Sequence, residues 1–283
     1  MRRTSPVSRP AWARAISATS ANRRSPVEVF ANAASVVTRS PYAEVTGLRT
    51  GKFGRWTDGV AAMREDCVSF AAYWQAHNES VLRKLERQRD PDPLWVVLGD
   101  STAQGLGAPR PKGGYVGQSL RQLRQRTGKH WRVLNLSVSG ALIRDVLAEQ
   151  IPRLPAAPDL VTCGIGANDI LYSAPGKLFG DMRSLLGTVP EQTVVLDLPL
   201  LAGFWGIVGR MSVPYITRIN RVIHEVAAER ELPVAHVSAH FTPPWTGKFS
   251  CDSFHPSQDG YRDWTRALMA ALPILPASLP ATA

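Results

Sequence analysis

Four short apolar runs punctuate the middle of the chain, and each stops at a small or polar residue. Trp95-Val96-Val97-Leu98 meets Gly99, Val133-Leu134 meets Asn135, Leu160-Val161-Thr162-Cys163 meets Gly164, and Val194-Val195-Leu196 meets Asp197. Runs this short and continuous read as strands buried on both faces, because a strand with one wet face would alternate. Helical patterns fill the intervals, and parallel strands need such crossovers. The order therefore predicts an α/β fold, a three-layer α/β/α sandwich around about five parallel strands. Ligands in such sheets gather beyond the carboxyl ends of the strands, which makes the loops after these runs the place to look for chemistry.

Ahead of the first strand, Val60, Met63, Cys67, Phe70, Trp74, Val81 and Leu85 recur at steps of three and four, interrupted by polar His77 and Asn78. This predicts an amphipathic helix packed on the following domain, with a lid over the cleft or a dimer seam as alternatives, so homo-oligomerisation stays open. A shorter stripe of Val27, Phe30, Ala34 and Val37 ends at Ser40-Pro41, and the glycines of residues 46–52 fit a loop without a phosphate-binding pattern. The expected organisation is a basic disordered tail over 1–24, a helical extension over 25–93, a catalytic domain over 94–272 and a Pro-rich tail over 273–283.

The chain has 283 residues, 44% of them hydrophobic, as in a soluble globular protein. Its net charge of +10 suggests an anionic partner, but residues 1–24 carry six arginines and no acid, so most of the excess is a tail. That distribution argues against a specific nucleic-acid partner and leaves weak contact of the tail with an anionic surface, or a transit-peptide role. Arg14 interrupts the one candidate apolar stretch near the start, which excludes a secretory signal core there, and no segment is apolar enough to span a bilayer. Cys67, Cys163 and Cys251 show neither zinc nor disulfide spacing, which points to a reducing, cytoplasmic setting.

Four blocks in fixed order carry the chemistry: Gly99-Asp100-Ser101, Ser139-Gly140, Gly166-Ala167-Asn168-Asp169 and Asp252-Ser253-Phe254-His255-Pro256. Together they hold a nucleophile, oxyanion donors and an acid-base pair, the inventory for acyl transfer through a serine ester. With these blocks the chain, over roughly residues 94–272, resembles the SGNH hydrolases, also called GDSL-type esterases and lipases. Ser101, Gly140, Asn168 and His255 stand at the four positions that mark that family. Two departures are small: Thr102 replaces the leucine of the family's name, and Ser137 stands where many relatives have glycine. The GxSxG elbow of the α/β-hydrolases is missing. The resemblance implies a flavodoxin-like fold and a cofactor-independent hydrolase of small-molecule carboxylic esters, acyl or lipid. Thioesterase, (lyso)phospholipase and acyltransferase activities remain alternatives, and a catalytically silent basic binding module is the rival of another class.

Residue by residue, Ser101 is the expected nucleophile and His255 its base. Asp252, three residues before His255, is placed to hold the imidazole, on a loop ahead of a helix that Pro256 would open. The N–H groups of Ser101 and Gly140 and the amide of Asn168 are the expected oxyanion donors. Gly140 precedes an expected helix over residues 142–150. Asp100 and Asp169 read as loop hydrogen-bonders that hold Ser101 and Asn168, without enough ligands for a metal. Cys251 reads as inert, and His77, His130, His224, His236 and His240 as structural or surface groups. Residues 198–211 form an apolar, Gly-rich loop in which Leu201, Phe204 and Trp205 are candidates for binding an acyl chain.

Overall fold

The computed structural model describes residues 54–87, 92–200 and 207–272. The stripe at Val27 to Val37, the loop at 46–52 and both tails lie outside the described residues.

Helix α1 (Gly54–Arg87) precedes β1 (Leu94–Gly99), the short α2 (Ser101–Gln104), α3 (Tyr115–Thr127) and β2 (Arg132–Asn135). Then come α4 (Ile143–Asp145), β3 (Leu160–Gly164), α5 (Ala167–Tyr172), α6 (Pro175–Thr188) and β4 (Thr193–Leu196). The remaining elements are α7 (Ile207–Glu229), β5 (Val234–Ala235), α8 (Val237–His240) and α9 (Gly260–Ala271). The strands form one parallel five-stranded sheet in the order β2-β1-β3-β4-β5, with Val96 beside Leu134 on one side and Val161 on the other.

Alternation along each strand divides the core. Val96, Leu98, Val161, Cys163 and Val195 meet Leu178, Leu185, Ile219 and Ile223 of α6 and α7. Trp95, Val97, Val133, Val194 and Leu196 meet Tyr115, Leu123, Trp264 and Leu268 of α3 and α9. Successive side chains of a strand point to opposite faces, so continuous apolar runs are what a sheet covered on both sides requires.

Helix α1 runs unbroken through His77 and Asn78. Its Met63, Cys67 and Phe70 bury beside Leu106, and Trp74 donates its indole N–H to the Gln104 carbonyl at 2.9 Å. The polar interruption covers the sheet edge. His77 Nε2 donates to the Val133 carbonyl at 3.0 Å, while Asn78 donates to the Asn135 carbonyl at 2.6 Å and accepts from the Asn135 N–H at 3.0 Å. Backbone groups along the edge of β2 are thereby satisfied without a further strand.

Two expected helix boundaries shift. The helix over 142–150 is regular only at α4; it widens into a π turn over Val146–Gln150 and a 3₁₀ turn over Ile151–Arg153, where Pro152 supplies no N–H. Pro256 does not open a helix, since it pairs with Phe249 in an isolated bridge. Helix α9 starts at Gly260, after Ser257 Oγ accepts the N–H groups of Asp259 and Gly260. Among the described residues, no helix is long and apolar enough to cross a membrane.

Candidate active site

Strand β1 delivers Ser101 to the first position of α2. Gln150 fixes the strand end, accepting from the Gly99 N–H and donating to the Gly99 carbonyl, both at 2.9 Å. Asp100 caps α2 by accepting the Thr102 N–H at 2.9 Å and hydroxyl at 2.8 Å. Ser101 Oγ then lies 2.8 Å from His255 Nε2, and His255 Nδ1 lies 2.5 Å from Asp252 Oδ2. The other Asp252 oxygen accepts the Ser250 hydroxyl at 2.5 Å and the N–H groups of Phe254 and His255 at 2.9 and 3.0 Å. Burial alone would raise the Asp252 carboxyl, but the His255 imidazole and these hydrogen bonds outweigh it and hold the pKa at about 2. Ser101, His255 and Asp252 are all buried, so the line of hydrogen bonds is shielded from water.

The second and third blocks approach the same strand ends. Gly140 adopts φ +78°, in the left-handed region that favours glycine. Asn168, one residue into α5, donates from Nδ2 to the Ala141 carbonyl at 3.0 Å. Asp169 accepts the Ile143 N–H at 3.1 Å, so its carboxylate braces the chain after Gly140, where the sequence suggested a hold on Asn168. Burial pushes the Asp169 carboxyl up to about 6, against the lowering bond from Ile143, and the charge of Asp100 adds to the rise. Buried amides join the turn at Ser101 to the loop at Gly140. Gln104 donates to the Ser137 carbonyl at 2.9 Å and accepts the Ser139 hydroxyl at 2.6 Å. Asn135 donates to the Ala103 carbonyl at 2.9 Å and accepts the Ser137 hydroxyl at 2.6 Å.

Residues 97–262 match the model of the GDSL-like lipase/acylhydrolase family, more than half of the chain. The chain belongs to this family. It is an ester-bond hydrolase. No curated protein gives a match. Among solved structures, TesA is 24% identical with a TM-score of 0.53, over 64% of this chain and 98% of that one. A variant of Axe2, an acetyl xylan esterase from Geobacillus stearothermophilus, is 22% identical with a TM-score of 0.52, over 66% and 97%. The lipase Lip_vut3 from a goat rumen metagenome is 20% identical with a TM-score of 0.54, over 63% and 97%. At these identities the likeness is one of fold.

In this GDSL-family hydrolase an apolar pocket touches the chain neighbours of Ser101 and His255. Asp100, Thr102, Phe254 and Pro256 line it together with Ile165, Ile170, Leu198, Pro199, Ile216 and Phe249. Leu198 and Pro199 come from the apolar segment 198–211, whose last five residues belong to α7 rather than to the expected loop, whereas Leu201, Phe204 and Trp205 lie outside the described residues. The three cysteines are free. Burial pushes the Cys67 thiol up to about 11 and the Cys163 thiol up to about 12, so neither supplies a thiolate near neutral pH. Sequence reasoning missed Gln104 and Gln150, because an isolated glutamine is usually a surface residue and its backbone partners are remote in the chain. It also gave no sign that Asp197, His224 and His236 meet; among the described residues they form a group spaced for a metal ion.

Proposed function

We propose that this hydrolase is a serine esterase that cleaves small-molecule carboxylic esters through an acyl-enzyme intermediate. The hydrogen-bonded line from Ser101 through His255 to Asp252 carries this reading. As Ser101 Oγ attacks the ester carbonyl, His255 Nε2 takes its proton and then gives it to the departing alkoxide. Asp252 holds the Nδ1–H and stabilises the imidazolium that forms between these steps. Water repeats the sequence on the acyl-serine and restores the free hydroxyl.

The developing oxyanion needs donors already in place. The Ser101 N–H stands at the start of a helix, where no preceding turn supplies an acceptor. Gly140 presents its N–H from a backbone without a β-carbon, and the Asn168 amide has a second proton beyond the one given to Ala141. The pocket that touches the chain neighbours of Ser101, Asn168 and His255 is lined mainly by aliphatic and aromatic side chains, which favours an acyl or lipid ester over a strongly polar one.

A fluorophosphonate probe tests the nucleophile, with the adduct mapped by peptide mass spectrometry. An adduct on Ser101 is expected, and one on Ser139 or Ser253 would overturn the reading. A chain-length series of nitrophenyl esters then defines the acyl group. Product analysis with and without added alcohol separates hydrolysis from transfer.

A further inference from the structure

A second constellation stands at the ends of the last two strands. Asp197 follows β4, His236 follows β5, and His224 lies on α7. Asp197 Oδ2 is 3.1 Å from His224 Nε2 and 3.5 Å from His236 Nδ1, and the three donor atoms all fall within 4.8 Å of one another. Tetrahedral zinc with ligands at about 2.0–2.1 Å sets its donors about 3.4 Å apart. Two edges of the triangle already have nearly that length. The third involves two imidazoles whose side chains are 43% and 55% exposed, so both rings have room to adjust and a fourth position faces solvent.

The carboxylate is the fixed corner. Asp197 is fully buried, and Ser238 orients it by donating its N–H to Oδ1 at 2.8 Å and its hydroxyl to Oδ2 at 2.7 Å. Hydrogen bonds of this kind position carboxylates that ligate metals. Among the described residues, the charged or ionisable side chains within ion-pair distance of Asp197 are the imidazoles of His224 and His236, with no lysine or arginine. A buried carboxylate needs compensating positive charge, which a bound cation supplies at this corner.

We propose that Asp197, His224 and His236 bind one divalent transition-metal ion of the zinc class, with water completing the coordination. Two imidazole nitrogens and one carboxylate oxygen suit zinc and cobalt, whereas magnesium and calcium take oxygen ligands. The site shares no residue with the Ser101–His255–Asp252 line, so the ion acts as a staple. It ties β4, β5 and α7 together and fixes Asp197, which also lines the apolar pocket beside Leu198.

Titration of the metal-free, untagged full chain with Co²⁺, followed by visible absorption, tests the site directly. One Co²⁺ per chain should bind with the bands of a tetrahedral nitrogen and oxygen set; equimolar Zn²⁺ should displace it, and millimolar Mg²⁺ should not. Zn²⁺ should raise the melting temperature of the parent. His224→Gln and His236→Gln should each weaken Co²⁺ binding by about tenfold or more, and the double variant should lose the Zn²⁺-dependent rise while keeping the parent circular dichroism. Absence of stoichiometric binding, or binding that survives the double substitution, would reduce the group to a hydrogen-bonded Asp-His cluster.

Discussion

Gly107 and His255 stand so close that the backbone at 107 has no room for a side chain. A β-carbon on Gly107 would meet the His255 β-carbon at 2.9 Å and the Pro256 carbonyl oxygen at 2.4 Å, and its φ of +89° already disfavours other residues. The segment after α2 is thus the surface on which the histidine loop rests. Gly107→Ala should push His255 away from Ser101 and lower kcat by about tenfold or more, since small misplacements of reacting groups are costly. Steady-state kinetics beside a melting curve checks this. An unchanged kcat with a lowered melting temperature would show that the strain is absorbed elsewhere.

The line from Ser101 to Asp252 separates two losses. Ser101→Ala removes only the oxygen proposed to attack the ester, so ester hydrolysis should vanish while the circular dichroism and melting curve stay close to those of the parent. Asp252→Asn keeps the shape of the side chain but removes the charge that favours the imidazolium, so kcat should fall by up to several orders of magnitude, with binding less affected. A rate for Asp252→Asn equal to the parent's would show that Asp252 does not orient the base.

The buried carboxylates of Asp169 and Asp252 should pull acid stability in opposite directions. Asp169 titrates near 6 in the folded chain against about 3.9 when unfolded, so the folded state holds more protons between those values and stability falls as pH rises through that window. A shift of this size is on the order of 3 kcal/mol. Asp252, held at about 2, contributes stability that is complete above about pH 4 and lost as pH falls toward 2. Asn at 169 retains an oxygen to accept the Ile143 N–H. Urea titrations at several pH values should therefore show a stability decline from about pH 4 to 6 that is flattened in Asp169→Asn. An equal decline in both chains would remove Asp169 as its source.

Local patterns were legible in the sequence, and remote pairings were not. Strands β1 to β4 left apolar runs because both of their faces are covered, whereas the two residues of β5 are too few to leave one. Asp252 and His255 sit on one loop, so their spacing alone allowed the hydrogen bond. His77 and Asn78 read as a flaw in a helical stripe because polarity is visible in a sequence while a partner strand is not. The clamp of Gln150 on Gly99 and the meeting of Asp197 with two histidines depend on how separate elements dock, which no local spacing encodes.

The role of α1 as an edge cover gives a stability prediction. Asn78→Ala would leave both backbone groups of Asn135 unpaired at a buried site, at a cost of about 2 kcal/mol. For a chain of this size that corresponds to a melting temperature lower by roughly 4–8 °C. Esterase activity of the folded fraction should change little. A melting point within a degree of the parent's would show that water replaces the amide at the strand edge.

Asn168 offers the sharpest division between holding the structure and stabilising charge. Its Nδ2 donates to the Ala141 carbonyl, one residue after Gly140, so one amide proton positions the loop while the other is proposed to meet the oxyanion. If the second proton acts on the transition state, Asn168→Ala should cost about 3 kcal/mol there, or on the order of a hundredfold in kcat. The ester carbonyl carries less charge before attack, so KM should move far less. The lost bond to Ala141 should lower stability by about 1 kcal/mol, whatever happens in catalysis. Asn168→Asp separates the terms further, because a carboxylate places negative charge where a donor is required and should be at least as inactive as alanine. If both variants melt early yet keep kcat within twofold of the parent, the amide only positions the loop, and the N–H groups of Ser101 and Gly140 carry the oxyanion alone.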